Sequence, residues 1–272
     1  MRTPEEQESR FQNAIALRDS GRLKESIAEF CLMAAETSDP NEKAAFLLNK
    51  VRCLATLGSL DDAKRTLREI SELPPIDPEI GVNVSFAKGC VLAQNHEPEK
   101  AASQFGSTLE ENAEYLDSEE NRDFREDIVR RRAMELVNSG SCAEAIPILK
   151  DALSFRSSIA DCLQLMHLYL GTCYGELRES DLARQEFLET ISFNLQNATE
   201  AEARYRLARQ HFTVGALAQA KLQLQAILSN YKDVVLTFPL KYVYEQLSRT
   251  CHYLGETDEE KHYAKLARGV SS

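Results

Sequence analysis

The sequence predicts an all-α fold built from tandem helical repeats, because four kinds of position recur together seven times in its 272 residues. A position suited to the crossing of two helices, usually small, is followed twelve residues later by a second such position. A third position, usually large and apolar, lies four residues further on. A turn position stands between the two small ones. We call these the first small, second small, bulky and turn columns.

Each column has seven members, one in each repeat. The first small column contains Ala14, Val51, Gly89, Ala133, Gly171, Ala208 and Ser248. The second small column contains Ser26, Ala63, Ala101, Ala145, Ala183, Ala220 and Glu260. The bulky column contains Phe30, Leu67, Phe105, Leu149, Phe187, Leu224 and Ala264. The turn column contains Gly21, Gly58, His96, Gly140, Arg178, Gly215 and Gly255. Its five glycines suit helices that end on a residue with a left-handed backbone.

This pattern resembles the tetratricopeptide repeat, most clearly over residues 54–63 and 170–174, with Ala183 and Phe187 completing the second copy. The resemblance extends over residues 4–268 and implies a right-handed α-solenoid of helix-turn-helix units. Three features depart from the family. The closing proline is mostly absent, with Pro75 the one good match. The repeats are longer, with 37–44 residues between turn positions, and the aromatic residue expected early in the first helix is mostly missing. That position holds Arg10, Leu47, Ser85, Val129, His167, Arg204 and Tyr244.

We expect residues 1–272 to form a single solenoid, with repeats 1–3 in residues 4–116 and repeats 4–7 in residues 117–272. Between the two groups, the acidic residues 110–124 are expected to form an extended helix end followed by a loop. The prolines Pro40, Pro74, Pro75, Pro78 and Pro239 are expected between helices. At the N-terminus, Thr3 is the predicted N-cap of the first helix.

Composition narrows the class of partner. The formal net charge of −11 argues against nucleic-acid binding, which usually requires a basic surface. No stretch reaches the ~18 apolar residues of a membrane span, and the N-terminus lacks the apolar segment of a secretory signal. Seven cysteines without a Cys-x-x-Cys motif favour core packing of free thiols. We therefore expect a cytoplasmic protein without membrane association.

Catalytic motifs are absent from the sequence. It has no Gly-rich phosphate loop, no His-Glu-x-x-His and no Gly-x-Ser-x-Gly. His211 and His252 occupy adjacent positions in successive repeats, but ordinary packing is favoured over metal binding. The sequence therefore predicts a non-enzymatic protein without cofactor or metal.

The family resemblance implies that the first helices line a concave groove that binds peptides or a partner's helix. Nine residues of the C-terminal half fall at the implied groove positions: Arg130, Arg131, Asn138, Tyr169, Tyr205, Arg206, Arg209, Arg249 and His252. Arginine offers a planar fork for carboxylates, and tyrosine supplies rigid contact area. The hypothesis is capture of an acidic peptide segment or a C-terminal carboxylate. The alternative is a solvated face whose charges pair internally, as Glu202 could with Arg206.

Three functional classes remain open at this point. The favoured one is a non-catalytic adaptor or scaffold that binds another protein or peptide, acidic segments among them, in the groove. The second is a structural subunit of a stable complex that uses its convex face or its ends. The third and least favoured is an enzyme with a cryptic site. The sequence leaves open whether the protein is a monomer or a dimer.

Overall fold

A computed structural model describes residues 4–155, 159–231 and 233–269. These residues form α-helices joined by turns and short loops, and no strand occurs among them. The chain divides into two compact units, Met1–Ser139 and Gly140–Ser272. The grouping of repeats predicted from the sequence, three before residue 117 and four after it, stays a prediction.

The first unit contains eight α-helices within the described residues. They are α1 (Pro4–Asp19), α2 (Leu23–Glu36), α3 (Pro40–Thr56), α4 (Leu60–Ser71), α5 (Pro78–Gln94), α6 (Pro98–Glu111), α7 (Ala113–Leu116) and α8 (Arg122–Asn138). The second unit contains seven in its described part. They are α9 (Cys142–Ala152), α10 (Ala160–Glu176), α11 (Ser180–Ser192), α12 (Ala198–Thr213), α13 (Leu217–Asn230), α14 (Leu240–Leu254) and α15 (Thr257–Gly269). Six of the predicted helix pairs lie within one unit, namely α1–α2, α3–α4, α5–α6, α10–α11, α12–α13 and α14–α15, whereas the two helices predicted for repeat 4, α8 and α9, belong to different units.

The small and bulky columns mark where the two helices of a repeat cross. Members of both small columns are buried in the first six repeats, as are the bulky residues. In the first repeat the Ser26 hydroxyl donates a hydrogen bond to the Ala14 carbonyl at 2.8 Å, directly linking the two small positions. The predicted twelve-residue spacing therefore corresponds to a real contact between helices.

The turn column adopts the left-handed backbone in every repeat. All five of its glycines have φ between 74° and 80°. The two other members follow them, with φ of 56° at His96 and 63° at Arg178. A side chain in this conformation is strained, so these two repeats carry a local cost that the glycine-containing repeats avoid.

Prolines start helices more often than expected. Pro40 and Pro78 are the first residues of α3 and α5 rather than linker residues, because a proline at that position lacks only an N–H that would be unpaired anyway. Pro74 and Pro75 do lie between helices, as predicted. The first helix starts at Pro4, and the predicted N-cap, Thr3, lies outside the described residues.

A second contact within the repeats joins residues nineteen positions apart on the two helices. In the first repeat Arg10 forms an ion pair with Glu29 at 2.8 Å. The same spacing recurs in four other repeats. Gln104 donates to Ser85 at 2.9 Å, and His167 Nδ1 lies 2.7 Å from Glu186. Arg204 donates to Gln223 at 3.0 Å, and the rings of Tyr244 and Tyr263 stack with their centroids 6.5 Å apart. We call these the cross-helix pairs. These pairs explain why the position early in the first helix has no common aromatic residue. In each of these repeats the side chain at that position suits the chemistry of a different partner.

The acidic stretch between α6 and α8 is more ordered than predicted. Helix α6 does extend to Glu111, but residues 113–116 then form α7, and a single 3-10 turn follows at Glu119–Asn121. Leu116 is 1% exposed and packs with Phe105 and Ile128 in the core of the first unit. Leu116, together with the partly buried Tyr115 and Phe124, anchors this acidic segment.

Candidate peptide-binding site

Three of the nine candidate residues belong to the first unit, on α8. Arg131 lies over the Phe86 ring at 5.2 Å and donates to Asp127 at 3.1 Å. Arg130 has one buried nitrogen, Nη1, with no hydrogen-bond partner among the described residues. Asn138 is exposed at the end of the helix. Arg131 is thus held by its own unit, whereas Arg130 retains an unused donor.

The other six candidates lie on the first helices of three repeats in the second unit. Tyr169 is on α10, Tyr205, Arg206 and Arg209 are on α12, and Arg249 and His252 are on α14. Three of the six, Tyr205, Arg209 and Arg249, line one recess of about 720 Å³. We call it the arginine recess. Its full lining is Tyr205, Arg209, Tyr242, Glu245, Gln246, Ser248, Arg249, Ala264, Ala267 and Arg268.

The arginine recess is rich in positive charge. It holds three guanidinium groups, those of Arg209, Arg249 and Arg268, against the single carboxylate of Glu245. Glu245 is itself paired, at 3.8 Å, with Lys241 on the same helix. The chain as a whole has a net charge of −11, so this local excess of positive charge is opposite in sign to the overall charge. A carboxylate entering the recess would meet several charge-assisted donors.

The arginines of the recess have few partners within the protein. Arg209 forms no hydrogen bond or ion pair within the described part of the chain. Arg249 lies over the Phe212 ring at 5.5 Å, a contact that leaves its N–H groups unused. Arg268 donates to the Ala264 carbonyl at 3.1 Å. At least two guanidinium groups are therefore available to a ligand.

Tyr205 forms a fixed wall of the recess. Its ring stacks on Phe238 with the centroids 4.8 Å apart. Burial raises the pKa of the Tyr205 hydroxyl, and the neighbouring Arg209 guanidinium opposes that shift. The tyrosine therefore stays protonated at neutral pH and offers a hydroxyl donor next to Arg209.

A smaller recess of about 250 Å³ adjoins the first and shares Arg209 with it. Arg206 and Gln210 line this second recess together with residues of α10 and α11. The Oε1 atom of Gln210 is buried and has no hydrogen-bond partner among the described residues. A buried acceptor without a partner is costly, so this oxygen is suited to an N–H donor from a ligand.

Arg206 supports the internally paired interpretation. Its Nε and Nη2 atoms donate to Glu202 Oε1 at 3.0 and 2.7 Å. The other oxygen of Glu202 accepts from the Thr237 hydroxyl at 2.8 Å. The pairing expected four residues apart is present, and it reduces the part that Arg206 can play in binding.

Two of the six candidates in the second unit line neither recess. Tyr169 is half-buried on α10, and His252 is exposed, with Nδ1 3.2 Å from Glu260. Neither His252 nor His211 belongs to the one described group of side chains with metal-ligand spacing, which is Cys251, Glu256 and Glu259. In that group Lys221 Nζ lies 2.7 Å from Glu256 and 2.8 Å from Glu259. The ammonium group therefore occupies the position that a cation would take.

The cysteines behave as core residues. All seven are free, and Cys53, Cys142, Cys173 and Cys251 are buried. Burial raises the pKa of Cys251 to about 11, with the nearby Glu256 carboxylate adding to the effect. Burial likewise raises the pKa of Cys173. These thiols are therefore poor nucleophiles.

No protein-family model matches the chain, and no curated protein matches it significantly in sequence. Solved structures do match it. A tetratricopeptide repeat protein from Parabacteroides merdae aligns with a TM-score of 0.66 at 15% identity, covering 98% of this chain and 94% of its own. The apo form of RapI aligns at 0.74 with 12% identity, covering 97% and 76%. A Rap protein complexed with Competence and Sporulation Factor aligns at 0.61 with 12% identity, covering 97% and 75%.

These alignments confirm the predicted fold class. The protein is an all-α repeat protein with the tetratricopeptide repeat fold. At 12–15% identity the similarity establishes the fold alone. No helix in the described residues has the length and apolar character needed to cross a membrane.

Sequence reasoning missed three residues of the two recesses. Arg268 lies on α15, a second helix, whereas the resemblance assigns groove positions only to first helices. Tyr242 lies at the first implied groove position of α14, six residues before Ser248, but is not among the nine candidates, and Gln210 directly follows Arg209. An excess of arginine and tyrosine in repeats 6 and 7, counted over both helices, would have pointed to Arg268 and Tyr242.

Proposed function

We propose that this protein is a non-catalytic adaptor that binds an acidic peptide segment or a C-terminal carboxylate of a partner protein in the arginine recess. The observation that carries the proposal is the grouping of Arg209, Arg249 and Arg268 around one cavity with a single, already paired carboxylate. The fold supports the broader class, since its structural neighbours are repeat proteins of the protein-interaction type.

The two adjoining recesses suit different parts of a peptide. Carboxylates fit the guanidinium groups of the arginine recess, because such pairs form charge-assisted and often bidentate hydrogen bonds. A backbone N–H of the same peptide fits the unpaired Oε1 of Gln210 in the smaller recess. Arg209 lines both cavities and so connects them. A peptide of a few residues with an acidic end would supply carboxylates to the guanidinium groups and an N–H to Gln210.

A structural neighbour with a bound factor supports a binding function. The Rap protein that aligns over 97% of this chain is complexed with Competence and Sporulation Factor. By analogy, we place the binding function of this chain on its repeat surface. The seven free cysteines support a cytoplasmic location for that function.

The test is affinity capture from native lysate with three forms of the protein. The first is the intact chain and the second is Arg209→Ala, Arg249→Ala. The third is a control, Arg184→Ala, Lys261→Ala, which removes the same charge from exposed residues of the second unit outside the recesses. Circular dichroism must first show equal helix content in all three.

A partner bound by the intact chain and the control but lost from the recess variant supports the adaptor. A partner bound equally by all three forms contradicts it. That outcome would favour the alternative of a structural subunit that uses another surface.

A further inference from the structure

The first unit contains a cleft of about 950 Å³ between α4, α5 and α6. It shares no residue with the candidate peptide site. One wall is the C-terminal half of α4 together with residues 73–76, the floor is α5, and the other wall is α6. Along α5 it reaches from Gly81 to Leu92, about 16 Å at 1.5 Å per residue. That length equals about three turns of an α-helix.

Small residues on α5 leave this space empty. Ser85 belongs to the position whose other six members are Arg10, Leu47, Val129, His167, Arg204 and Tyr244. It is the smallest of the seven, and both Gln104 and Thr108 of α6 turn toward its hydroxyl, at 2.9 and 2.8 Å. Gly81 contributes no side chain either, and nothing lies within 4 Å of where its Cβ would be.

The linker before α5 widens the cleft. Residues 72–77 separate α4 from α5, whereas only residues 37–39 separate α2 from α3. Pro74 and Pro75 within this linker cannot continue the helix. The second helix of repeat 2 is therefore kept apart from the first helix of repeat 3.

The inner surface of the cleft is apolar. Leu67, Ile70 and Leu73 contribute from one wall, and Val84, Val91 and Leu92 from the floor. Leu67, Ile70 and Val91 are buried in the core behind this surface, whereas Leu73, Val84 and Leu92 are partly exposed and present apolar area that a ligand would cover.

The rim of the cleft is basic toward one end. Arg68 and Lys88 form no ion pair within the described residues, and Lys64 is paired with Glu97 at 2.8 Å. The only carboxylate in the lining is Glu111. Because Ser85 bonds Thr108, Glu111 lies toward the Gly81 end of α5 and away from Lys88. The charge pattern is complementary to acidic residues near the Leu92 end.

We infer that this cleft is a second binding site, which takes an amphipathic helix of a partner protein with leucine-like residues on one face and acidic residues beside them. The length of the cleft matches three helical turns, its floor matches an apolar stripe, and Arg68 and Lys88 match flanking carboxylates. The inference is independent of the proposed function, which concerns the second unit.

The experiment uses two synthetic helical peptides of about three turns. Both carry leucine at alternating three- and four-residue spacing, and they differ only in flanking residues, which are glutamate in one and lysine in the other. Fluorescence anisotropy measures the affinity of each peptide for the full chain and for two variants. The first variant is Arg68→Glu, Lys88→Glu. The second is a control of equal charge change, Lys24→Glu, Arg65→Glu, at exposed residues outside the cleft.

The full chain should bind the glutamate peptide about tenfold more tightly than the lysine peptide. The control should keep that preference, and Arg68→Glu, Lys88→Glu should reverse it. A third variant, Ser85→Leu, fills the cleft with the residue that repeat 2 has at this position, Leu47, and should abolish binding of both peptides. The inference is overturned if the intact chain binds the two peptides equally. It is also overturned if Arg68→Glu, Lys88→Glu still binds the glutamate peptide more tightly than the lysine peptide. Arg68 and Lys88 are exposed, so reversing their charge should leave the fold intact. The comparison by charge reversal therefore stands even if Ser85→Leu does not fold.

Discussion

Gly171 lies directly beneath the ring of Phe187, so closely that a Cβ atom on Gly171 would be 2.6 Å from Cε1 of the ring. Gly89 and Phe105 have the same relationship in the third repeat, at 2.5 Å. In the sixth repeat, which has leucine in the bulky column, alanine stands opposite, as Ala208 with Leu224. In these repeats the first small column and the bulky column are therefore matched in size, whereas the first repeat combines Ala14 with Phe30.

Replacing Gly171 by alanine should destabilise the protein by about 1–3 kcal/mol, because the added methyl group overlaps the ring of Phe187. Chemical denaturation measures the change. The control is Gly175→Ala on the same helix, where an added Cβ meets nothing within 4 Å and the change should be neutral or stabilising.

Adding Phe187→Leu to Gly171→Ala should recover part of the loss, since the pair then matches repeats 4 and 6. A double-mutant cycle gives the coupling free energy directly. Additive effects would show that the two residues do not constrain each other.

The turn column predicts stabilising substitutions. His96→Gly and Arg178→Gly should each raise stability by about 0.5–1 kcal/mol, because glycine adopts positive φ without strain. The reverse change, Gly58→Ala, should lower stability by about 1 kcal/mol at a φ of 74°. Thermal unfolding measures all three, and a destabilised His96→Gly would show that the histidine side chain outweighs its backbone strain.

Much of this architecture could be predicted from the sequence because it depends on residues that repeat. The small columns, the bulky column and the turn column keep one size or backbone requirement in nearly every copy, and even His96 follows its column. The pairing of Glu202 with Arg206 was also predictable, because it lies within one helix.

The remaining features depend on contacts that do not repeat. In the cross-helix pairs the spacing is constant but the chemistry changes from ion pair to hydrogen bond to ring stacking, so neither position shows a common residue type. Leu116 belongs to a small group of apolar residues in an acidic stretch, with Tyr115 and Phe124, and the group has no periodicity. The lining of the arginine recess combines residues of three helices, which only their packing brings together.

The buried ion pair of Arg204 with Glu200 should contribute far more to the free energy of unfolding than the more exposed pair of Arg206 with Glu202. Glu200 is 1% exposed and accepts from Arg204 at 2.9 Å, and Arg204 also donates to Tyr231 at 3.0 Å. Arg204→Met should cost about 3 kcal/mol, because it leaves the Glu200 carboxylate buried without its partner.

Arg206→Met is the matched control for Arg204→Met, on the same helix and also four residues from its glutamate. The Arg206 side chain is 35% exposed, so its loss should cost less than about 1 kcal/mol. Urea unfolding compares the two variants, and equal losses would contradict the importance of burial here.

Acid should weaken one contact between repeats 2 and 3. Hydrogen bonds from Lys100, Lys64 and Asn95 lower the pKa of the Glu97 carboxyl from 4.5 to about 2. A lowered pKa in the folded state means that this stabilisation is complete above pH 4.5 and is lost as the pH falls toward 2. The difference in unfolding free energy between the intact chain and Glu97→Gln should therefore shrink over that interval.

Glu99→Gln, an exposed residue in the first turn of α6, controls for the loss of one negative charge. Urea unfolding at a series of pH values follows both variants. A Glu97→Gln difference that does not change between pH 4.5 and 2 would show that the ion pairs of Glu97 contribute nothing to stability.

If the arginine recess binds acidic peptide ends, the affinity should depend on its arginines. Calorimetric titration with a selected peptide measures that dependence. A C-terminal peptide library is first selected on the intact chain, and the most enriched peptide is titrated into the intact chain, Arg209→Ala, Arg249→Ala, and the control Arg184→Ala, Lys261→Ala. We expect enrichment of acidic termini and a Kd weakened at least about tenfold by loss of the two recess arginines, with the control unchanged. Peptides without acidic residues, or an equal Kd for all three proteins, would contradict the account.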